Sequence, residues 1–332
     1  MYELLGISLG LATLLTVSAV ASLVIAALWR LIERPMRHCS ARTRADALFA
    51  MRAGPPAVAL IAVAAFLIPS YLAYEPYATN EFVSKKLGAL AIVSAIGVAL
   101  AVSRGLRAWL ATRSLLGKWL AEATPVHVAG IDVPTFRITH SFPIIAVVGL
   151  FRPRLFIAQR VIESLSHEEM VAAIAHECGH LAARDNLRRT LIRACRDMLA
   201  IVPCGRSIDR AWSENAEAAA DEYAADRGAV VALNLASALI EIARMVPAGA
   251  RPAMPAAAFI LGDETNGVMG RVNRLVALAG AQPRPKAKPA FICWAERMGL
   301  CLLLATSILT LANAHALSSL HAAMERVVQL LA

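Results

Sequence analysis

Charge is scarce in this chain. Only 17% of its 332 residues are Asp, Glu, Lys or Arg, 58% are apolar, and the mean hydropathy is +0.59. A soluble globular domain carries about 25% charged and about 45–50% apolar residues. Charge is missing altogether from three long runs: Leu4 to Trp29, Pro55 to Tyr74 and Met298 to Leu317. A fourth, Leu87 to Ser103, is shorter and is extended past Arg104 by Leu106, Trp109 and Leu110. A membrane-crossing helix needs roughly 20 apolar residues, so these runs predict four spans, at about 4–29, 55–74, 87–110 and 293–317.

Other absences narrow the class. The six cysteines (Cys39, Cys178, Cys195, Cys204, Cys293 and Cys301) form no C-x-x-C pair and read as small apolar filler. There is no internal repeat and almost no charge within the spans, which argues against a transporter or channel. Met1-Tyr2-Glu3 offers no basic stretch ahead of the first run, and that run exceeds the 7–15 residues of a signal-peptide core. It reads as a retained anchor.

What charge there is lies beside the spans. Arg30, Arg34, Arg37, Arg42, Arg44 and Arg52 follow the first run, whereas Lys85 and Lys86 alone follow the second. Arg104, Arg107, Arg113 and Lys118 follow the third, and Arg284, Lys286 and Lys288 precede the fourth. The excess of Lys and Arg on the inner side predicts a multi-pass protein of the plasma (inner) membrane. Its N-terminus lies outside, its long 113–290 segment is cytoplasmic, and a short tail lies outside. The net charge of +9 is accounted for by arginines facing anionic headgroups, so no direct nucleic-acid binding is expected.

The domain organisation follows: 1–112 with three spans, 113–290 as one folded domain, and 291–332 with the fourth span and tail. Within the domain, residues 126–160 read as a hairpin or two short strands, with Pro134, Pro143 and Pro153 favouring an edge position. The rest reads helical. Ser166-His167-Glu168-Glu169 is a capping box that starts a helix near His167. Further helices are expected over 186–201, 209–230, 233–245 and 267–278, the last amphipathic and basic. The expected class is a mainly α membrane protein with four transmembrane helices and a mostly helical cytoplasmic domain carrying a small β-hairpin or edge strand.

The first of these helices carries His176-Glu177-Cys178-Gly179-His180. Residues four apart lie about 40° apart around a helix. His176 and His180 therefore point the same way and can ligate one Zn²⁺, with Glu177 offset toward a metal-bound water. Zinc lowers the pKa of that water toward about 7, and the glutamate accepts its proton as general base. A third ligand is needed. Residues 214–226 hold two E-x-x-x-D patterns, Glu217/Asp221 and Glu222/Asp226. Each offers a ligating glutamate and an aspartate to orient a ligand histidine. Glu222 lies about 140° around the helix from Glu217, so one or the other serves, not both. Cys178 points away from the histidine face and reads as core filler.

This arrangement resembles the BlaR/MecR-type antirepressor metallopeptidases, integral-membrane zincins of the gluzincin type, and more distantly HtpX-type and CAAX-prenyl zinc peptidases. The likeness runs through Val147-Val148-Gly149-Leu150-Phe151-Arg152-Pro153, Leu165-Ser166-His167-Glu168-Glu169, Ala175 to Leu181, Arg184-Asp185-Asn186 and Ala216 to Asp221. It implies one zinc per chain held by His176, His180 and Glu217, with Glu177 as base and Asp221 as support; Asp185 matches the family's aspartate after the zinc helix, with a hydrogen bond at the helix end as its alternative role. Glu222 remains the alternative ligand. Arg271 stands where HtpX-type relatives carry an arginine near substrate; on residue grounds it is an arginine of a basic amphipathic face. Ala182-Ala183-Arg184 replaces the two or three basic residues of BlaR/MecR proteins, and about fifteen residues follow the last span where those proteins carry a penicillin-binding sensor.

The expected activity is membrane-embedded zinc-dependent hydrolysis of a peptide bond in a cytoplasmic or membrane-proximal protein, in regulatory proteolysis. A transcriptional repressor is one candidate substrate, the bilayer is a second partner, and a homo-oligomer is compatible with the sequence. The alternatives are a non-catalytic membrane regulator that keeps the peptidase fold, and an HtpX-type quality-control protease.

Overall fold

The computed structural model describes residues 2–76, 83–128, 133–198, 205–246, 265–281 and 313–331. Three of its helical stretches are long and apolar enough to cross a membrane: Tyr2–Trp29, Ala41–Tyr74 and Lys85–Glu122. They contain the first three expected spans. Most of the fourth, at 293–317, lies outside the described residues. The first helix, α1, runs Tyr2–Met36. The second starts as α2 (Ala41–Ile61), passes through a π-helical stretch (Ala62–Leu67) and ends as α3 (Ile68–Tyr74). α4 covers Lys85–Glu122.

Leu5, Leu9 and Ala12 of α1 pack on Leu67, Tyr71 and Leu87. Close approach depends on Gly6, where a Cβ would stand 2.9 Å from Cε1 of Tyr71. The Tyr71 hydroxyl then donates to the Tyr2 carbonyl at 2.7 Å. Outward, Val20, Leu23, Leu60, Leu72, Ile92 and Val102 remain exposed. Such an apolar exterior belongs against lipid rather than water.

After α4 comes a small sheet: β1 Thr124–Val126, β2 Thr135–Ile138, β3 Ile145–Val148 and β4 Arg154–Ala158. Its order is β1-β2-β4-β3. β1 and β2 are antiparallel, β2 and β4 parallel, and β3 and β4 antiparallel. The sequence predicts a hairpin or two short strands, which correspond to β3 and β4; β1 and β2 are additional. Apart from Pro125 in edge strand β1, the prolines stand just before strands: Pro134 before β2, Pro143 before β3, Pro153 before β4. There a missing N–H costs no ladder bond, so they do not force β2 or β4 to the edge. β3 does lie at the edge. Gly149 closes the β3–β4 turn at φ 118, where a Cβ would meet the Arg152 carbonyl oxygen at 2.7 Å. Only glycine suits that position.

The remaining helices are α5 Gln159–Ser164, α6 His167–Ala183, α7 Asp185–Met198, α8 Gly205–Ala225, α9 Ala229–Met245, α10 Thr265–Ala279 and α11 Ala314–Leu331. α6 begins at the expected capping box: the Ser166 hydroxyl accepts from Glu169 N, and Glu169 reaches back to Ser166 N at 2.9 Å. One core lies between the sheet, the end of α4 and α6, centred on Trp119, Phe156, Val161 and Ile174. A second joins α6, α9 and α10 through Ala172, Ala175, Leu235, Leu239 and Leu275.

The second apolar run predicts a span from about residue 55, but the helix starts earlier, at Ala41. Its first three turns are folded into the domain: Ala45, Leu48 and Met51 pack on Ile192 of α7 and on Trp212 and Ala216 of α8. The 113–290 segment therefore does not close its core alone. Residues 314–331, read as an external tail from Leu317 onward, are helical, and Ser70 donates to the Leu317 carbonyl at 3.0 Å.

Candidate metal centre

α6 and α8 form the floor of the site, and small residues let them meet. A Cβ on Gly179 would stand 2.9 Å from Cα of Ala220, which is backbone and cannot yield. That close crossing brings Glu217 of α8 to His176 and His180 of α6. Glu217 Oε2 is 3.7 Å from His176 Nε2, and its Oε1 is 3.8 Å from His180 Nε2. The two Nε2 atoms are 3.2 Å apart. All three ligand atoms lie within 4.8 Å of one another, in a buried to half-buried setting.

Each imidazole is held from behind. Asp185 Oδ2 accepts from His180 Nδ1 at 2.7 Å, and Asp221 Oδ1 lies 3.0 Å from His176 Nδ1. Asp185 gets there by a reversal of the chain. Arg184, at the end of α6, adopts the left-handed conformation (φ 53, ψ 42), so α7 starts back beneath the last turn. With Nδ1 donating to a carboxylate, each Nε2 carries a lone pair aimed inward. Two such acceptors at 3.2 Å repel unless a cation lies between them. Glu217 Oε2 is also buried without a hydrogen bond, although Arg271 Nη1 is an ionic neighbour at 3.0 Å. Two imidazole nitrogens and a carboxylate oxygen, convergent on one point, fit a zinc ion's preference for three protein ligands at an open site.

Glu177 is almost wholly buried, and its Oε2 has no hydrogen-bond partner. Burial pushes its carboxyl up to about 7, with the Glu217 charge adding to the rise; His180 and a backbone hydrogen bond from Val147 oppose it. Burial and the Arg271 guanidinium together lower the His176 pKa. For His180, burial acts downward, but the Asp185 hydrogen bond and the Glu217 and Glu177 charges outweigh it and raise the pKa.

Behind the site, Arg271 of α10 grips Asp221 through Nε (3.1 Å) and Nη2 (2.6 Å). Arg274, one turn on, donates to the same carboxylate at 2.8 Å. Burial would raise the Asp221 pKa, yet Arg271 and His176 hold it far below the usual carboxylate range. Arg271 is 7% exposed. The structure therefore puts it beneath the ligand set rather than on an open basic face. Arg274 was missed by sequence reasoning, although its i, i+3 spacing from Arg271 puts both on one side of α10.

Glu222, the rival ligand, is turned away from this cluster. Its two oxygens accept from Ala41 N at 3.2 and 3.0 Å, at the start of α2. Cys178 packs toward the sheet core, away from the ligand face, and burial raises its thiol pKa. Asn186 was quoted as part of a motif and given no task. Its amide donates to the carbonyls of Val147 (2.9 Å) and Gly149 (3.3 Å), tying α7 to the edge strand. Nothing in a single sequence distinguishes it from any other asparagine at a helix start.

An HExxH helix, a glutamate from a second helix and buried aspartates behind the histidines form a cluster that could hold a metal ion. Residues 146–246 match the model of Peptidase family M48, which covers β3 through α9 and so every one of these residues except the α10 arginines. The match supports a metallopeptidase. No curated protein matches the chain.

Proposed function

We propose that the chain is a zinc-dependent endopeptidase embedded in the plasma (inner) membrane. On this reading its catalytic domain faces the cytoplasm, its N-terminus lies outside, and it cuts a cytoplasmic or membrane-proximal protein in regulatory proteolysis. The observation that carries the reading is the convergence of His176, His180 and Glu217, with Glu177 buried on the same helix as the histidines and its Oε2 without a hydrogen bond. The BlaR/MecR-like motifs and the arginine distribution beside the spans support the regulatory role and the orientation, with a transcriptional repressor as the favoured substrate class.

His176, His180 and Glu217 would hold a zinc ion, which would supply Lewis acidity toward a peptide carbonyl and a water near neutral pH. The chain's own groups do the rest. Glu177 Oε2 accepts the proton of the attacking water and returns it to the leaving amine. Asp185 and Asp221 hold the histidine rings fixed.

β3 offers the place for an extended substrate. Ala158 N bonds to Ile144 O at 2.8 Å, so Ile144, Ala146 and Val148 pair with β4, while Ile145 and Val147 turn their backbone groups to the open edge. Val147 is taken by Glu177 and Asn186. Strand addition by a substrate therefore starts at Ile145 and runs away from the metal.

The test is metal content and peptide cleavage in purified full-length protein. Wild type should carry about one zinc per chain. His180→Ala should lose zinc and activity together, and Glu177→Gln should keep zinc but lose cleavage by about 10²-fold or more. Full activity in Glu177→Gln sinks the peptidase reading and favours a non-catalytic regulator.

A further inference from the structure

The second apolar helix is continuous with the machinery of the site. Its first twelve residues lie antiparallel to the ligand helix α8. At one end, Glu222 accepts from Ala41 N. In the middle, Ala45, Leu48 and Met51 bury against Trp212 and Ala216. At the other end, Arg52 Nε meets Asp209 Oδ1 at 3.2 Å, with Arg52 5% exposed. Asp46 is also bound by Arg188 of α7. The contacts alternate with the site along α8: Ala216 touches α2 and Glu217 faces the histidines; Asp221 holds His176 and Glu222 holds α2. Beyond Arg52 the same helix runs on through buried Pro55 and Pro56 to Tyr74, with Leu60, Ile68 and Leu72 facing outward.

Lengths decide what this linkage does. Residues 41–52 are about 18 Å long and 55–74 about 30 Å, at 1.5 Å per residue, the latter matching the hydrocarbon core. A transmembrane helix changes tilt with bilayer thickness. A change of about 10° pivoting near Pro55 carries the Ala41 end roughly 3 Å. Metal–ligand distances tolerate about 0.2 Å. α8 must therefore follow α2 or shear against it, and a buried ion pair left half-broken is costly.

We propose that α2 makes the metal centre responsive to the membrane: tilt or axial shift of 55–74 is passed through the 41–52/209–222 helix pair to Glu217 and alters its approach to His176 and His180. The proposal rests on the metal-centre reading above and deepens it into regulation of that site. The chain is compared in vesicles of short-chain and long-chain monounsaturated phosphatidylcholine. Two readouts are taken: amide hydrogen exchange over 209–222, and peptide cleavage at equal zinc content. Wild type should show exchange and cleavage that both change between the two bilayers, by about threefold or more. The shape-preserving variant Arg52→Met/Asp209→Leu/Glu222→Gln should be insensitive to thickness while retaining cleavage. The charge swap Arg52→Asp/Asp209→Arg should recover the sensitivity, which separates linkage from folding. Thickness-independent exchange in wild type, or undiminished dependence in the uncoupled variant, overturns the proposal. Thickness-dependent exchange without cleavage in either bilayer keeps the linkage and sinks the peptidase reading instead.

Discussion

Glu177 sets the balance at the residue scale. A carboxyl pushed from an ordinary 4.5 up to about 7 by burial opposes folding wherever it is ionised. The sign follows directly. Below about pH 4.5 the carboxyl is neutral in both states and carries no penalty. As pH rises through the interval between those values, the unfolded chain ionises first and stability falls. Above about 7 the full penalty is present, on the order of 3 kcal/mol. Metal-free Glu177→Gln should therefore melt at a higher temperature than metal-free wild type at pH 8. The difference should shrink as pH falls and all but vanish near pH 4, as read by thermal unfolding after chelation. Arg184 is the opposite case, a side chain in left-handed backbone at the end of α6. Arg184→Gly relieves that strain at some cost in unfolded-chain entropy. It should stabilise the protein by about 0.5–1 kcal/mol, visible as a higher midpoint in chemical unfolding, with zinc content unchanged.

At the scale of elements, the α6–α8 crossing controls the site. Gly179 is the only residue that fits where Ala220 backbone stands 2.9 Å from a would-be Cβ. Gly179→Ala should cost about 1–3 kcal/mol, and Gly179→Val should push α8 away and lower zinc occupancy well below that of wild type, measured by metal analysis. How much of this was legible beforehand depends on the kind of contact. The ends of α6 were readable because a capping box is a local device, and His176 and His180 were readable as a pair because helical spacing is local. Glu217 and Glu222 were not separable by spacing alone, because the choice between them depends on which face of α8 meets α6 and which meets α2. Sequence periodicity sees two apolar stripes but not their partners. β1 is three residues long and largely exposed, and β2 offers only Thr135 and Ile138 as buried positions, so neither has the apolar run that marks β3. Asn186 and Arg274 act across the fold, so no local pattern marks them.

For the whole molecule, the apolar runs located the first three candidate spans but not the N-terminal end of the second helix. Ala41–Arg52 lies outside the second apolar run because Arg42, Arg44, Asp46 and Arg52 interrupt it. Its burial appears only when α7 and α8 are there to receive it. A fragment beginning at residue 113 loses that partner. Ile192, Trp212 and Ala216 are then uncovered, and Asp209 is stripped of Arg52. Such a fragment should aggregate or hold much less zinc than the full chain, and a peptide spanning residues 38–54 added in trans should restore part of both. Size-exclusion chromatography with metal analysis reads the outcome; a soluble, zinc-loaded fragment without the peptide would show that α2 is dispensable.

The small sheet has one further consequence. An uncovered strand edge invites a neighbouring molecule to add its own strand, and repetition of that step leads to fibres. Here Asn186 caps the carbonyls of Val147 and Gly149, and Glu177 takes the Val147 N–H. The groups that shape the site also interrupt the edge just where it reaches the site. An added strand meets an open edge only at Ile145 and cannot zip the full length of β3, so this edge is a poor template for polymerisation.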